Sequence, residues 1–294
     1  MKSGFLLIDK PSGRTSFSVD SAVKKLYDTK KVGHSGTLDP LASGLLLIGI
    51  NKATGAFSIL PETDKCYEVR MKLGIKTDSY DISGQVLSEQ EPVRDLGLIE
   101  SAVMSFNGGY DQIPPMYSAR KKDGVRLYDL ARKGKVVERK SSFVKLSIED
   151  LLTDLPSLSF KVTCSRGTYI RSLVNDIGEK LGCGAVMTDL RRIKCDGFDL
   201  SQAYKIDDLF AMTEEEREEK LIKIDSLFMD YPALHVKEGK DRFLLNGNAL
   251  DRTDFLENEI YPGISRIYQS NGLFAALYRK EDDILKPCKM FIQE

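Results

Sequence analysis

The stretch GHSGTLDPLASG, residues 33–44, places one carboxylate, Asp39, among glycines, a proline and small polar residues. An aspartate before a proline in a glycine-rich segment is typical of a turn, because the residue before proline favours extended backbone and glycine tolerates positive φ. A carboxylate held on such a loop is also suited to nucleophilic catalysis. The local sequence therefore leaves two interpretations of Asp39 open, a turn former and a nucleophile.

Apolar segments flank this loop on both sides. FLLID at 5–9 predicts a short buried strand, and apolar residues at helical spacing over 19–26 predict a helix capped by Ser16 or Ser18. LLLIGI at 45–50 is a continuous apolar run, which is typical of a strand buried on both faces. We therefore expect packed structure to carry the loop.

Two alternating segments and a helix follow along the chain. YEVRMKLG, which starts at Tyr67, and SLSFKVTCS at 157–165 alternate apolar and polar residues, which predicts strands with one buried face. The next stretch has the spacing of an amphipathic helix, with Thr168 as its candidate cap and Gly182 as its stop. Because strands and helices do not alternate strictly, they favour an α+β fold with a mixed, largely antiparallel sheet flanked by helices.

The sequence changes in character near residue 228. Beyond it, short apolar segments alternate with turn signals, including Asn271-Gly272, a dipeptide that strongly favours a hairpin. Residues 229–294 therefore predict a separate small β-rich domain after a larger domain at 1–228.

Composition excludes several classes of chemistry. The five cysteines form no C-x-x-C pair and there are two histidines, so we expect reduced thiols and no metal site. GHSGT has Thr37 where a hydrolase nucleophile elbow needs glycine, and the sequence has neither a P-loop nor a dinucleotide fingerprint. We expect cofactor-free chemistry. No segment is apolar enough for a membrane span or a signal peptide, so a cytoplasmic location is expected.

Charge is balanced overall but not locally. The formal net charge is −1, which gives no support for a nucleic-acid partner. Residues 111–145 nevertheless contain ten Lys or Arg against four Asp or Glu. Such a block is either a solvated face or a phosphate-binding surface, and composition alone does not decide between them.

Arg171 lies near the start of the predicted helix, where the helix dipole disfavours a cation by several tenths of a kcal/mol. A nearby carboxylate would compensate this cost. Alternatively, Arg171 is a solvated surface residue. The spacing alone leaves both alternatives open.

Five stretches resemble, in this order, the TruB family of bacterial tRNA pseudouridine synthases; they are GFLLIDKPSGRTS, KVGHSGTLDPLASGLLLIGINKAT, DKCYEVRMKLGIKTDSYDISG, QIPPMYSA and SRGTYIRSLVNDIGEKLGCGA. They cover about the first two hundred residues. The resemblance implies a pseudouridine synthase catalytic domain and a small C-terminal β-barrel of the PUA type. It also implies isomerisation of the T-loop uridine, nucleotide 55 of tRNA, without cofactor or metal.

The resemblance also assigns catalytic roles. Asp39 matches the catalytic aspartate, and Arg171 matches the arginine that pairs with it. Tyr67 matches the tyrosine that packs on the target uracil and is proposed to take part in the final proton removal.

Other positions match binding or supporting residues of the family. Tyr169 and Leu190 match substrate-pocket positions, and His34 matches a residue that fills the space left by bases leaving the T-loop stack. Lys10 and Pro11 belong to a motif that supports the active-site loop.

The basic block at 111–145 matches an insertion that clamps the tRNA T-arm in this family. We also expect the protein to be a monomer. One position departs from the pattern: Gly55 stands where the family has Lys or Arg, so that contact is lost or moved, for example to Lys52. Two other hypotheses stay open. The chain could be an RNA-binding factor that aids tRNA folding, or a synthase that acts on another RNA or with a guide.

Overall fold

The computed structural model describes residues 2–118, 120–122 and 124–292. In the part of the chain up to residue 228, the strands are β1 (Gly4–Lys10), β2 (Val32–His34), β3 (Ser43–Ile50), β4 (Lys65–Leu73), β5 (Ile75–Thr77), β6 (Val86–Glu89), β7 (Tyr110–Gln112), β8 (Lys121–Lys122), β9 (Val125–Arg126), β10 (Ser142–Val144), β11 (Leu146–Asp154), β12 (Ser157–Cys164), β13 (Ala185–Cys195) and β14 (Phe198–Asp199). The helices are α1 (Ser16–Leu26), α2 (Leu96–Met104), α3 (Leu127–Arg132), α4 (Ile170–Leu181), α5 (Ile206–Ala211) and α6 (Glu214–Glu219).

The central sheet has the order β1-β3-β13-β4-β12-β11, with β2 also paired to β3 and β14 to β13. β13 runs parallel to β3, whereas the other pairings in this sheet are antiparallel. The prediction of a mixed, largely antiparallel sheet is therefore confirmed.

Helices cover one face of this sheet, the face toward which Tyr67 and Leu190 point. On this face, α2 and α4 pack against β4, β12 and β13 around a core that also takes in Leu38 and Ala42 of the 33–44 loop. Farther along the same face, α1 and α5 pack against β1 and β3. The loop that carries Asp39 is thus anchored by its own apolar residues.

Both predicted helix caps were wrong. Thr15 caps α1, and its hydroxyl accepts the N–H of Ser18 at 3.0 Å, because the Ser16 hydroxyl is used elsewhere. Tyr169 precedes α4 without a side-chain cap, since the hydroxyl of Thr168 donates to Ser165 O instead. Gly182 ends α4 in the left-handed conformation with φ 75°, as predicted.

The C-terminal part folds as a five-stranded curled half-barrel, consistent with the predicted PUA-like domain. Its sheet order is β15-β17-β18-β19-β16, and Asn271-Gly272 forms the predicted hairpin between β17 and β18. The elements are β15 (Ala233–His235), α7 (Asp241–Leu245), β16 (Leu250–Asp251), β17 (Ile264–Tyr268), β18 (Phe274–Glu281) and β19 (Ile284–Met290).

This half-barrel shares a hydrophobic core with the central sheet. Leu277 and Phe291, which are 1% and 0% exposed, pack in one cluster with Phe5, Leu45 and Leu47 of β1 and β3. The two parts of the chain are therefore joined by buried apolar surface and not by a linker alone.

Gly55 lies at the contact between the two parts. Gly55 lies in a 3-10 helix at Asn51–Ser58, and a Cβ there would be 2.8 Å from Cε and 3.6 Å from Nζ of Lys289 in β19. A cation therefore stands beside this position, and it comes from the C-terminal half-barrel.

In the part of the chain that the structure describes, no helix is long and apolar enough to cross a membrane. The five cysteines are free thiols.

Candidate active site

A cavity of about 730 Å³ opens beside residues 36–40 of the 33–44 loop. Its volume falls within the range of about 300–1,000 Å³ that is common for small-molecule sites. Its walls come from the loop itself, β4, the 78–85 turn, the 111–145 insertion and the start of α4; the lining includes Asp39, Tyr67, Ser79, Asp81, Tyr117, Tyr128, Arg132, Tyr169, Arg171 and Leu190.

The main chain on either side of Asp39 is held by the segment that precedes α1. The Ser16 hydroxyl donates to Leu38 O at 3.1 Å and accepts the Leu38 N–H at 2.9 Å. Gly13 N–H donates to Pro40 O at 2.8 Å. The turn anticipated from sequence is therefore fixed from outside as well as by its own residues.

Lys10 holds the segment that precedes α1 through hydrogen bonds to its main chain. Its side chain is buried, and Nζ donates to Pro11 O at 2.9 Å and to Arg14 O at 2.7 Å. Burial lowers the pKa of Lys10 to about 8, although the nearby Asp39 carboxylate opposes this effect. Pro11 contributes its main-chain carbonyl, while its ring lies at the surface.

Asp39 and Arg171 form an ion pair at the edge of the cavity. Arg171 Nε donates to Asp39 Oδ2 at 2.7 Å; the Arg171 side chain is 6% exposed and that of Asp39 is 37% exposed. The alternative of a solvated Arg171 does not hold. The carboxylate is thus accessible from the cavity, while its partner is buried behind it.

The remaining donors of Arg171 are fixed by main-chain carbonyls. Nη1 donates to Ser79 O at 3.0 Å and Nη2 donates to Tyr117 O at 2.8 Å. A second carboxylate, Asp81, lies 3.8 Å from Nη1. The guanidinium therefore has one orientation, and it presents Nε to Asp39.

Asp81 is itself held in place. Its Oδ1 accepts the Ser79 hydroxyl at 2.9 Å and the Ser83 N–H at 3.0 Å. The 78–84 segment is thereby closed into a compact turn behind Arg171. Sequence reasoning missed Ser79, Asp81 and Tyr117, because two of them act through carbonyls that every residue possesses.

Tyr67 and Leu190 border the cavity from neighbouring strands, β4 and β13, and are 8% and 5% exposed. Burial raises the pKa of Tyr67 to about 12, an effect that the nearby Arg192 guanidinium partly offsets. The Tyr67 hydroxyl is therefore a neutral phenol at physiological pH.

Tyr169 is positioned by Gln112, a residue that was not singled out from sequence. Gln112 is 2% exposed; its Oε1 accepts the Tyr169 N–H at 2.8 Å and its Nε2 donates to Tyr169 O at 3.0 Å. The Arg120 guanidinium lies 5.8 Å from the centre of the Tyr169 ring. A polar side chain beside the diproline of QIPP was the available signal for Gln112.

His34 is not among the residues that line the cavity. Its Nδ1 lies 2.9 Å from Asp20 Oδ2, and its Nε2 lies 3.1 Å from Thr37 Oγ1. The structure thus brings Asp39, Tyr67, Tyr169, Arg171 and Leu190 together at the cavity; His34, Lys10 and Pro11 lie outside it.

The basic insertion forms one wall of the site. It begins and ends on the paired strands β7 and β10, and it contributes Tyr117, Tyr128 and Arg132 to the cavity. Guanidinium groups of Arg126 and Arg132 lie 5.7 and 5.5 Å from the centre of the Tyr128 ring. Cations and aromatic rings are therefore interleaved beside Asp39. Within the described residues, no group of three or more His, Cys, Asp or Glu side chains is arranged to hold a metal ion.

Comparisons with known proteins agree with this geometry. A family model described as TruB family pseudouridylate synthase, N-terminal domain, matches residues 24–170, and one described as tRNA pseudouridylate synthase B C-terminal domain matches 171–231. tRNA pseudouridine synthase B of Clostridium acetobutylicum is 41% identical over 98% of this chain and 99% of its own length. The protein of that name from Burkholderia mallei is 38% identical over 98% and 97%.

A solved structure extends the match to the fold. A chain in the crystal structure of a Cbf5-Nop10-Gar1 complex superimposes with a TM-score of 0.69 and 25% identity, over 98% of this chain and 85% of that chain. The match includes the C-terminal half-barrel, so the predicted fold is confirmed along the chain. The chain therefore belongs to the TruB family of pseudouridylate synthases.

Proposed function

We propose that this protein isomerises a uridine of tRNA to pseudouridine, and that its target is the T-loop uridine, nucleotide 55. The observation that carries the proposal is the accessible carboxylate of Asp39, paired at 2.7 Å with the buried Arg171 in a cavity of nucleotide size. The family membership and the full-length relatives named tRNA pseudouridine synthase B support it.

The reaction breaks the N1–C1′ bond, turns the uracil and joins C5 to C1′, with no change in composition. A carboxylate nucleophile divides this rearrangement into two steps through a covalent intermediate. Asp39 Oδ2 is bonded to Arg171, whereas no donor among the described residues lies within hydrogen-bond distance of Oδ1. Oδ1 is therefore the atom that we assign to the attack.

The target base must leave the RNA stack to reach Asp39. Flipping costs a few kcal/mol, and stacking on aromatic side chains offsets part of that cost. Tyr67 and Tyr169 border the cavity and provide such surfaces, and Leu190 provides an apolar contact. We assign His34, near the start of the 33–44 loop, to the space that the base leaves in the RNA.

Binding of the T-arm is assigned to the 111–145 insertion, whose cations can replace the counterions of the phosphate backbone. We propose the division into a catalytic domain at 1–228 and a PUA-like RNA-binding domain at 229–294. One chain supplies every residue assigned to the site, so we propose that the monomer is active. We also propose that the protein acts in the cytoplasm.

Replacing Asp39 by Asn tests this function. A synthetic T-arm stem-loop is incubated with each protein and pseudouridine is measured by mass spectrometry. We expect the variant to bind RNA with affinity within about threefold of wild type and to form no product. Product at the wild-type rate would contradict the assignment of Asp39, and a stem-loop that the wild type leaves unmodified would contradict the assigned target.

The same variant addresses tRNA folding. If Asp39→Asn refolds denatured tRNA as well as the wild type does, the folding activity is independent of catalysis. If neither protein accelerates refolding, the chain has no such activity.

A further inference from the structure

A lysine outside the assigned catalytic set projects into the same cavity. Lys65 is the first residue of β4 and lies two residues before Tyr67, so both side chains leave the strand on one face. Both line the cavity together with Asp39. Lys65 is therefore on the reactive side of the sheet.

The Lys65 ammonium lies directly against the 33–44 loop. A Cβ built on Gly36 would be 2.7 Å from Lys65 Nζ, which is closer than a real Cβ contact. Gly36 does not have a positive φ, so its glycine is not required by backbone conformation. The missing side chain leaves room for an ammonium three residues before Asp39.

This ammonium has no hydrogen-bond acceptor among the residues that the structure describes. Its charged neighbours include two cations, Arg192 and Arg166, and one carboxylate, Asp196. Asp196 Oδ2 already accepts hydrogen bonds from the Ser35 hydroxyl and the Cys195 thiol. Burial, together with Arg192 and Arg166, lowers the pKa of Lys65.

Arg192 adds a second buried cation beside Lys65. It is 1% exposed, and it donates to Leu45 O at 2.7 Å and to Gly36 O at 3.0 Å. Arg166, by contrast, is exposed and lines a small second cavity together with Lys65. Two carboxylates, Glu62 and Asp196, line this second cavity as well, but neither accepts a hydrogen bond from Lys65 Nζ among the described residues, so the ammonium is free to bind an anionic ligand.

We propose that Lys65, with Arg166 beside it, binds a backbone phosphate of the RNA next to the flipped uridine. This inference rests on the proposed function, because a nucleotide that enters the cavity carries its own phosphodiesters to the entrance. A phosphate oxygen accepts charge-assisted hydrogen bonds from an ammonium, and Gly36 leaves room for that ammonium against the loop that carries Asp39. Lys65 is therefore a substrate-binding residue, and its contact with the phosphate also fixes the position of the RNA relative to Asp39.

The first test compares Lys65→Met with Lys72→Met, a lysine on the opposite face of the same strand. Binding of the stem-loop RNA is measured from 50 to 300 mM salt. We expect Lys65→Met to weaken binding about tenfold at low salt and to lower the slope of log K against log salt by about 0.7–0.9, the loss of one phosphate contact. Lys72→Met is expected to bind like wild type. Equal slopes for all three proteins would overturn the proposal.

The second test locates the phosphate. Each linkage in the loop is replaced in turn by an uncharged methylphosphonate, and binding is measured with wild type and with Lys65→Met. At one linkage near the target uridine, the substitution should weaken wild-type binding about tenfold and leave Lys65→Met unaffected. Additive losses at every linkage would mean that Lys65 contacts no phosphate.

Folding and catalysis are controlled separately. Thermal melting of Lys65→Met shows whether the variant is folded, and the control Lys72→Met should form pseudouridine at the wild-type rate. A fall in kcat with unchanged RNA affinity would overturn a phosphate-binding role. A wild type that binds RNA but forms no pseudouridine would contradict the proposed function, whereas the methylphosphonate comparison would still report on Lys65.

Discussion

The guanidinium of Arg171 reaches Asp39 Oδ2 through Nε at 2.7 Å while Ser79 O and Tyr117 O hold its two terminal nitrogens. Three acceptors in three directions match a planar guanidinium and do not match a single ammonium. The orientation of the Asp39 carboxylate therefore depends on the Arg171 guanidinium, whose Nη1 and Nη2 are held by the Ser79 and Tyr117 carbonyls.

We predict that Arg171→Lys lowers the single-turnover rate of pseudouridine formation at least about 100-fold, equivalent to roughly 2.7 kcal/mol. The ammonium cannot satisfy both carbonyls and Asp39, so the carboxylate loses its fixed orientation. Arg94→Lys, at an exposed arginine, serves as the control and should keep the wild-type rate. A rate for Arg171→Lys within threefold of wild type would show that the ion pair does not position Asp39.

Gln112→Leu should lower the stability of the protein. The change leaves the Tyr169 N–H and C=O without their present partner, and each unsatisfied buried group costs about 1–3 kcal/mol. We expect the free energy of unfolding, measured with urea, to fall by about 2 kcal/mol. Gln90→Leu, at an exposed glutamine, should change it by less than 0.5 kcal/mol. Equal stability of the two variants would contradict a structural role for Gln112.

Lys10 should give stability a pH dependence of defined sign. Its pKa is about 8 in the folded protein and near 10.5 in the unfolded chain, so between these values the unfolded state binds more protons. The free energy of unfolding of wild type, relative to Lys10→Met, should therefore rise as pH increases from 8 to 10.5, by up to roughly 3 kcal/mol. Below pH 8 the difference should be constant. Urea titrations at several pH values measure it, and a difference that falls above pH 8 would refute the assignment.

Two glycines should respond differently to alanine. Gly178 of α4 faces the backbone of β13, and a Cβ there would lie 2.2 Å from Ala185 N; at Gly55 the nearest atom is the flexible Lys289 Cε, at 2.8 Å. We expect Gly178→Ala to cost about 2–3 kcal/mol of stability, because helix and strand must separate. Gly55→Ala should cost less than about 1 kcal/mol, because the lysine can move. Thermal denaturation of both variants checks this order, and a reversed order would contradict the packing described for α4.

Many of the strands and helices could be predicted because the spacing of apolar residues indicates them directly. The buried strands β1 and β3 and the alternating strand β4 follow the pattern of their side chains. The two helix caps were predicted wrongly for a different reason. Serine and threonine are interchangeable in local sequence, and only the fold shows that the Ser16 hydroxyl is needed by Leu38.

Some residues of the site could likewise be predicted from sequence and others could not. Asp39, Tyr67 and Arg171 carry distinctive side chains within motifs, so sequence could bring them forward as candidates. The carbonyls of Ser79 and Tyr117 carry no side-chain signature, and the position of Lys65 against Gly36 depends on how two distant segments meet. Contacts of that kind become visible only when the strands are placed in three dimensions.

The apolar cluster that joins Leu277 and Phe291 to Leu45 and Leu47 has a thermodynamic consequence. Neither half can unfold without uncovering side chains that the other half keeps dry, so the chain should melt as one cooperative unit. Cutting it after residue 228 would expose the outer surface of the very strands that frame Asp39. The half-barrel therefore stabilises the two strands between which the Asp39 loop is held.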